Sequence, residues 1–197
     1  MAEDIDKINA DFYDQSGASF DTIPFDSILP QLLQKYNLGH ELLEVGSGPG
    51  TLAVWLKDIG CQVTCLEPAK KLAEMAIKKG LEVHELTIQE FESDSQYDSI
   101  LAISSLIHVP KKELPAQIQK IANLLKPQGM FFVSFIEGED EGLEDPTMSG
   151  KLRYFAKWNE SGLDRLLSPY FNLLENHRIY NKKMDRTFLL RVYALRS

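Results

Sequence analysis

Residues 44–50 have the sequence Glu-Val-Gly-Ser-Gly-Pro-Gly and lie between an apolar run and a segment of helical composition. Glycine lacks a Cβ and tolerates positive φ, so such a loop lets backbone N–H groups and a helix N-terminus approach a ligand closely. The glycine spacing is G-x-G-x-G. A dinucleotide-binding loop would need its third glycine at position 51, which is Thr51, and the lysine motif of a P-loop is absent. A plain tight turn is the alternative.

Strands and helices alternate on both sides of this loop. The predicted strands are short apolar runs at residues 42–45, 63–66, 81–85, 99–103 and 130–135. The predicted helices cover residues 51–59, residues 69–79 and a segment from Pro110 to about Leu125. Near-continuous apolar strands alternating with helices predict an α/β fold, with a parallel sheet covered on both faces.

Two regions interrupt this alternation within what we predict to be one domain over residues 1–197. Residues 1–37 are predicted to form a helical cap segment. Residues 137–157 are predicted to form an acidic lid on one side of the site, with a loop over residues 137–150. After a helix at residues 160–167, two final strands at residues 171–180 and 187–195 are expected to form a hairpin at the sheet edge.

Composition excludes several classes of protein. A chain of 197 residues with 44% hydrophobic and 25% charged residues is typical of a soluble globular domain. A net charge of −8 disfavours non-specific nucleic-acid binding, which needs Lys and Arg to neutralise phosphates. The first residues lack the features of a signal peptide, and no segment approaches the roughly 18 apolar residues of a membrane span. We expect a cytoplasmic monomer or weak homodimer.

The two cysteines, Cys61 and Cys65, are expected to be reduced thiols. Four residues along a strand place them about 13 Å apart. A disulfide needs Cα atoms within roughly 7 Å. With no other cysteine and scattered histidines, a redox or metal pair is disfavoured, and no metal site is predicted.

A carboxylate at the end of the second predicted strand adds to the glycine loop. Glu67 follows Gly46 by 21 residues. An acid at about this spacing accepts hydrogen bonds from ribose hydroxyls in nucleoside-binding α/β folds. A solvated acid at a strand end is the alternative. Together, the loop and Glu67 indicate a ligand that contains adenosine.

Four features in this order resemble the motifs of class I S-adenosylmethionine-dependent methyltransferases: the loop at residues 44–50, Glu67, the strand at residues 97–102, and residues 124–129 before an apolar strand. The sequence is most similar to the small single-domain group related to ubiquinone and menaquinone methyltransferases. The resemblance extends from about Leu42 to Phe135. It implies a Rossmann-like three-layer αβα sandwich, with a seven-stranded, mostly parallel sheet whose last strand is antiparallel.

The resemblance also implies the cofactor, S-adenosylmethionine, and a role for each matching residue. The methionine part of the cofactor would be held by Glu44, Gly46, Ser47, Gly48 and Gly50. Glu67 would hold the ribose hydroxyls, and Pro68 would pack against the adenine. The residues beside the sulfonium and the amino group would be Ala102, Ile103 and Ser104.

One position departs from the family pattern. The segment Thr87-Ile88-Gln89 falls where the family usually has an acid that binds the adenine amino group. Thr87 replaces that acid, so we expect the Ile88 backbone or Gln89 to take its place. This departure is the one motif feature that favours a non-catalytic cofactor-binding module over an enzyme. A nicotinamide-dependent oxidoreductase is disfavoured by the glycine spacing and by the lack of a catalytic Tyr-x-x-x-Lys.

His108 and Tyr13 are the candidate catalytic residues. Methyl transfer from a sulfonium is an in-line displacement, so a base is needed only where the acceptor must lose a proton. His108 follows the fourth predicted strand, and an ordinary pKa near 6.5 suits a general base. Alternatively, it caps the next helix or orients the loop. Tyr13 falls where relatives place an aromatic residue over the cofactor; helix packing is the alternative.

The acceptor is predicted to be a small molecule. The sequence after the fourth strand lacks the Asn/Asp-Pro-Pro-Tyr/Phe motif of amino-methylating enzymes, and no cysteine is placed for C5-methylation. Arg153 is a candidate for binding an acidic group of the acceptor, or else a surface residue. Trp158 belongs either to the acceptor pocket or to the core.

Charge is unevenly distributed along the chain. Residues 1–26 hold seven acids and one base, and residues 137–150 hold six acids and no base. Both segments are expected to border the acceptor pocket. The basic turn with Lys182, Lys183 and Arg186 is expected to reach the same face, where it would neutralise part of the acidic charge.

Overall fold

The computed structural model describes residues 5–16, 28–146, 150–182 and 184–196. The predicted segments lie in part outside the described residues: residues 1–4 and 17–27 of the cap, residues 147–149 of the acidic loop and Lys183 of the basic turn. The helices are α1 (Ile5–Ser16), α2 (Leu29–Lys35), α3 (Thr51–Asp58), α4 (Lys70–Lys78), α5 (Leu114–Leu124) and α6 (Glu160–Leu167). The strands are β1 (Glu41–Val45), β2 (Gln62–Leu66), β3 (Glu82–His84), β4 (Tyr97–Ala102), β5 (Leu125–Glu137), β6 (Glu141–Glu144), β7 (Arg153–Trp158), β8 (Phe171–Asn181) and β9 (Arg186–Leu195).

A mostly parallel sheet organises the chain, which confirms the predicted α/β class. Five parallel strands run in the order β3-β2-β1-β4-β5. The antiparallel strand β9 joins β5, and β8 pairs with β9. The final hairpin therefore meets the sheet through β9, which lies between β5 and β8. The strand order reverses between β1 and β4, and in open α/β sheets ligands bind at the carboxyl ends of the strands at this switch point.

Helices cover both faces of the sheet and give the predicted three layers. One core cluster joins the sheet to α5 and α6 through residues such as Ile118, Leu163 and Phe131, which are fully buried. The other joins it to α2, α3 and α4 through residues such as Leu33 and Leu56. Burial of these apolar side chains is the main stabilising contribution to such a fold.

The predicted acidic loop at residues 137–150 is in part a β-hairpin. Strand β6 pairs with β7, so the described residues form nine strands rather than the seven predicted. Strand β6 was not predicted because its side chains are mostly acidic, and their charges are neutralised by basic residues from other segments. Glu144 pairs with Lys157 and Arg186, and Asp140 also pairs with Lys157.

The start of α5 differs from the prediction. The helix begins at Leu114 with Pro115 in its first turn, and Pro110 precedes it. Residues 106–108 form a short 3₁₀ helix instead. Proline is favoured in the first turn of a helix, and from the sequence either Pro110 or Pro115 could occupy that position. The prediction that Pro110 begins the helix is therefore wrong, and Pro115 lies in the first turn instead.

Strand β7 lies beyond the carboxyl end of β4. Ile136 in β5 pairs with Phe188 of β9 on one edge and with Lys157 of β7 on the other. Strand β4 pairs with the same edge of β5 as β7 does, but nearer the amino end of β5, where Ala102 pairs with Val133. The hairpin therefore places β7 over the end of the sheet where the strand order reverses.

Candidate active site

A cavity of about 730 Å³ opens at the carboxyl ends of the parallel strands. Its walls come from α1, the glycine loop after β1, the residues that follow β2, β3 and β4, and β7. Distant segments of the sequence thus meet at the switch point of the sheet. The predicted site residues that line the cavity are Tyr13, Glu44, Gly46, Ser47, Gly48, Glu67, Pro68, Thr87, Ile88, Gln89, Ile103, Ser104 and His108.

Two predicted site residues do not line the cavity. Gly50 precedes α3, and a Cβ there would lie 2.3 Å from Leu81 Cδ1, so this glycine allows the loop to pack against its neighbours. Ala102 is fully buried in the core at the end of β4. Both residues therefore belong to the elements that carry the cavity and not to its wall, which in the segment after β4 begins at Ile103.

The glycine loop is held in a left-handed conformation. Gly46, Gly48 and Gly50 have φ of +72°, +57° and +80°. The N–H groups of Gly46 and Ser47 both donate to the Leu66 carbonyl, at 2.8 and 3.0 Å, which ties the loop to the end of β2. A Cβ on Gly48 would meet nothing within 4 Å. The loop therefore leaves open space beside the Gly48 backbone.

Glu44 is a buried carboxylate whose Oε2 atom has no hydrogen-bond partner. Its exposed fraction is 4%, although it lines the cavity. Burial raises its pKa to about 8, and repulsion from Glu67 adds to the shift. Such a group is stabilised by a cation or a strong hydrogen-bond donor placed in the cavity.

Glu67 is fixed by the two segments that flank it. Its Oε2 accepts a hydrogen bond from the Gly48 N–H at 2.7 Å, and its Oε1 accepts one from the Ala69 N–H at 2.9 Å. Burial raises its pKa to about 7, against the opposing effect of these two bonds. The second lone pair of each oxygen can still accept from a ligand hydroxyl.

Among the described residues, most of the buried side-chain atoms without a hydrogen-bond partner belong to residues that line this cavity. Within the described ranges, seven buried side-chain atoms lack a hydrogen-bond partner. Five of them belong to cavity-lining residues: Glu44 Oε2, Ser47 Oγ, Ser105 Oγ, Gln117 Oε1 and Arg153 Nε. An unpaired buried polar atom costs roughly 1–3 kcal/mol, so their concentration indicates a wall built to pair with a polar ligand.

The adenine-side segment differs from the expectation. The Thr87 hydroxyl donates to Glu90 Oε2 at 2.9 Å and is therefore already engaged. Gln117 of α5, which the sequence analysis missed, lines the cavity with an exposed fraction of 5% and an unpaired Oε1. Its Nε2 donates to Gln89 Oε1 at 3.4 Å. A polar residue on the buried face of a helix was the available signal, because Leu114, Ile118 and Ile121 share that face.

His108 is held at both ring nitrogens. Nδ1 lies 2.6 Å from the Tyr154 carbonyl oxygen, and Nε2 lies 2.7 Å from Tyr13 Oη. A carbonyl oxygen only accepts, so Nδ1 carries the proton and Nε2 is the acceptor. Burial, together with the positive charges of Arg153 and Arg186, lowers the His108 pKa to about 4, against the opposing effect of the hydrogen bond to the Tyr154 carbonyl. The imidazole is therefore neutral at pH 7 with a lone pair on Nε2.

Helix α1 closes one side of the cavity through three polar contacts. Asn9 Oδ1 accepts from the Tyr154 N–H at 2.9 Å, and Asp14 Oδ1 accepts from the Lys71 N–H at 2.7 Å. Tyr13 forms the third contact, to His108. Burial raises the Tyr13 pKa above its ordinary value, so the phenol stays protonated at pH 7 and donates to Nε2.

Other predicted candidates lie outside the cavity wall. Trp158 packs against the core, and the Lys111 ammonium lies 5.0 Å from its ring centroid. Trp55 packs against the other core cluster. Cys61 and Cys65 are free thiols. Arg186 of the basic turn pairs with Glu144, so the acids of the hairpin are partly neutralised.

The fold and this site define an α/β methyltransferase, a class in which a glycine loop and an acid after β2 border the ligand cavity. A family model described as "Methyltransferase domain" matches residues 21–178. The chain therefore belongs to the methyltransferase-domain family, which confirms the family predicted from the sequence.

Relatives with known names agree with this assignment. A ubiquinone biosynthesis O-methyltransferase of Xanthomonas oryzae pv. oryzae is 33% identical over 104 residues, which cover 49% of this chain and 43% of that protein. A protein of the same name from Rickettsia bellii is 25% identical over 195 residues, and this match covers 90% of this chain and 80% of the Rickettsia protein. The Xanthomonas match thus involves less than half of the relative's length.

A solved structure shows the same fold. The magnesium protoporphyrin IX methyltransferase from Synechocystis PCC 6803, crystallised with bound S-adenosylmethionine, superposes with a TM-score of 0.74. Its sequence identity is 18%, and the match covers 100% of this chain and 99% of that one. Within the described part of this chain, no helix combines the length and the apolar character needed to cross a membrane.

Proposed function

We propose that the chain transfers a methyl group from S-adenosylmethionine to a small-molecule acceptor. The observation that carries this proposal is the set of five unpaired buried polar atoms in one cavity behind a left-handed glycine loop. The chemistry of four of them, on Glu44, Ser47, Ser105 and Gln117, fits the cofactor, which bears an ammonium, a carboxylate, ribose hydroxyls and an adenine amino group. Family membership supports the same assignment.

Each part of the cofactor has a matching group in the wall. The unpaired Glu44 oxygen suits the ammonium, and the open space beside Gly48 suits the close approach of the methionine part. Glu67 retains lone pairs for the ribose hydroxyls. Ile103 and Ser104, which follow β4, border the region where the reacting methyl group would lie.

Gln117 is our candidate for the adenine amino group. Its buried Oε1 is an unpaired acceptor, which is what the family's usual acid would provide at that place. Gln89, its hydrogen-bond partner, holds the amide in position. The substitution of Thr87 therefore does not argue for a non-catalytic module, because another side chain supplies the missing acceptor.

S-adenosylmethionine, when bound, supplies a methyl group on a positively charged sulfur that is already activated for displacement. The protein must align the acceptor, exclude water and take up any proton that the acceptor loses. His108 is placed to accept that proton at Nε2, since its Nδ1 is committed to the Tyr154 carbonyl. The acceptor would then replace the Tyr13 hydroxyl as the donor to Nε2.

The acceptor is proposed to carry a hydroxyl group. The relatives from Xanthomonas and Rickettsia are named O-methyltransferases, and a neutral imidazole suits the removal of a hydroxyl proton. A cytoplasmic location and a monomeric or weakly dimeric state stay predictions from the sequence. Gel filtration with light scattering measures the second of these directly.

Isothermal titration with S-adenosylmethionine, S-adenosylhomocysteine and NAD tests the proposed function. We expect both sulfur nucleosides to bind and NAD to give no heat. Turnover is then sought with a panel of phenols, catechols and aliphatic alcohols, measured as S-adenosylhomocysteine formed. Failure of both nucleosides to bind would refute the proposal, and tight binding without turnover on the whole panel would favour a non-catalytic binding module.

Two glycine substitutions separate ligand contact from backbone strain. Gly48→Ala and Gly60→Ala each place a Cβ at a positive φ with no atom within 4 Å. Each should therefore cost about 1–2 kcal/mol of stability. Only the Gly48 methyl group projects beside the cavity wall, so Gly48→Ala should weaken S-adenosylhomocysteine binding roughly tenfold by calorimetry. Equal affinities in the two variants would contradict the proposed binding mode.

A further inference from the structure

Arg153 is a buried cation that lines the cavity. It begins β7, the strand that lies beyond the carboxyl end of β4, and only 4% of its surface is exposed. It therefore lies on the side of the cavity that His108 and α1 also border. A charged side chain at this depth is rare unless a partner compensates its charge.

The contacts of Arg153 are mainly with aromatic rings. Its Cζ lies 4.1 Å from the ring centroid of Phe12, 5.0 Å from that of Phe155 and 5.7 Å from that of Tyr13. Nη1 donates a long hydrogen bond of 3.4 Å to Tyr13 Oη. Nε is buried and has no acceptor. The rings orient the guanidinium without neutralising it.

Two other arginines are compensated, in contrast to Arg153. Arg186, which stacks on the same Phe155 ring at 4.6 Å, pairs with Glu144. The buried Arg191 donates to Asp164 Oδ1 at 2.7 Å. Within the described residues, no carboxylate lies within ion-pair distance of Arg153. This positive charge is therefore available to a ligand.

We propose that Arg153 binds a carboxylate group of the methyl acceptor. A planar guanidinium with a free N–H matches a carboxylate in shape, charge and hydrogen bonding. Around it, Phe12, Phe155, Phe188 and Ile107 make the wall apolar. The structure thus assigns the acceptor to a class: a mainly apolar molecule that carries one carboxylate, held with its hydroxyl toward His108. This inference rests on the proposed function.

The cofactor's own carboxylate is the competing partner for Arg153. The contacts of Arg153 are with α1 and β7, whereas the glycine loop that would hold the methionine part is tied to β2 through Leu66. Repulsion between Arg153 and a protonated His108 also fits a role beside the acceptor, because it keeps the imidazole neutral. The experiment must nevertheless measure both ligands.

Paired acids and amides provide the test. Benzoate and benzamide, phenylacetate and phenylacetamide, and hexanoate and hexanamide are titrated into the protein saturated with S-adenosylhomocysteine. For at least one pair we expect the wild type to bind the acid tenfold or more tightly than the amide. Arg153→Gln should abolish that preference, and Arg153→Lys should keep part of it. Lys151→Gln, which removes an exposed cation at the same cavity, should leave it within twofold.

The outcomes separate this inference from the proposed function. If S-adenosylhomocysteine binds and no pair shows an acid preference, the inference fails while the proposed function stands. If Arg153→Gln weakens S-adenosylhomocysteine binding and spares the acid preference, Arg153 holds the cofactor instead. If Arg153 had only a structural role, its loss would lower the thermal midpoint of unfolding. Under the proposed binding role, Arg153→Met should leave that midpoint unchanged or raise it. A lower midpoint with the acid preference intact would also overturn the inference.

Discussion

Replacing Glu44 by Gln is expected to weaken S-adenosylhomocysteine binding about 100-fold while making the free protein more stable at alkaline pH. The carboxylate is buried, has an unpaired oxygen and has its pKa raised to about 8 by burial and by Glu67. An amide fills the same space without the charge. It cannot compensate the cofactor's ammonium, because a neutral amide oxygen can accept a hydrogen bond from that cation but carries no opposite charge.

The sign of the pH effect follows from proton linkage. Because the folded pKa of Glu44 lies above its unfolded value of 4.5, the folded state holds this proton more tightly. Glu44 therefore contributes stability below pH 4.5 that is lost as pH rises through about 8. At pH 9 the Gln variant should exceed the wild type by about 5 kcal/mol in free energy of unfolding, and by much less at pH 5.

Urea denaturation at pH 5 and pH 9, together with calorimetry, measures both effects. Glu41→Gln is the matched control, because Glu41 begins the same strand but is half-exposed, and it should change neither quantity strongly. Wild-type affinity for S-adenosylhomocysteine should also rise between pH 6 and pH 8 as Glu44 ionises, whereas the Gln variant should show a flatter profile. A Gln variant that binds normally would rule out the assigned role of Glu44.

The sequence predicted those parts of the site that depend on local chemistry. A glycine loop at a strand end and an acid after the next strand require residue types that occur rarely by chance at that spacing. The sequence therefore predicted Glu44, Gly48 and Glu67 as site residues, and all three line the cavity. The positions of the parallel strands along the chain followed from the apolar runs, because buried parallel strands have a simple composition.

Features that depend on contacts between distant segments were not predictable in the same way. The β6/β7 hairpin was missed because its acids are neutralised by bases far along the chain, such as Arg186. The environment of Arg153 depends on α1, which lies about 140 residues earlier and supplies Phe12 and Tyr13. Gln117 showed a weak local signal, because it is a polar residue on an apolar helix face. That signal indicates a site residue only when the structure shows that this face borders the cavity.

Replacing His108 by Asn is expected to lower the single-turnover methyl-transfer rate by a factor of about 10² to 10⁴ without changing cofactor affinity. The Asn amide can still donate to the Tyr154 carbonyl, so it preserves the contact that orients the loop, but it offers no basic nitrogen in place of Nε2. This variant therefore distinguishes a base from a residue that only positions the loop. An unchanged rate would remove His108 as the base, whatever the effect of His108→Ala.

The pH dependence gives a second measure of His108. Its pKa of about 4 means that the basic form persists well below pH 6.5, so the acid limb of kcat/KM should fall near pH 4 to 5. The same shift makes the wild type lose about 3 kcal/mol of stability as pH falls from 6.5 to 4, because the unfolded state takes up the proton first. His108→Asn should remove that loss of stability. Tyr13→Phe should retain both the acid limb of kcat/KM and the loss of stability. An acid limb near pH 6.5 would instead mean that a more exposed group sets the rate, since burial and the positive charges of Arg153 and Arg186 disfavour the protonated imidazole.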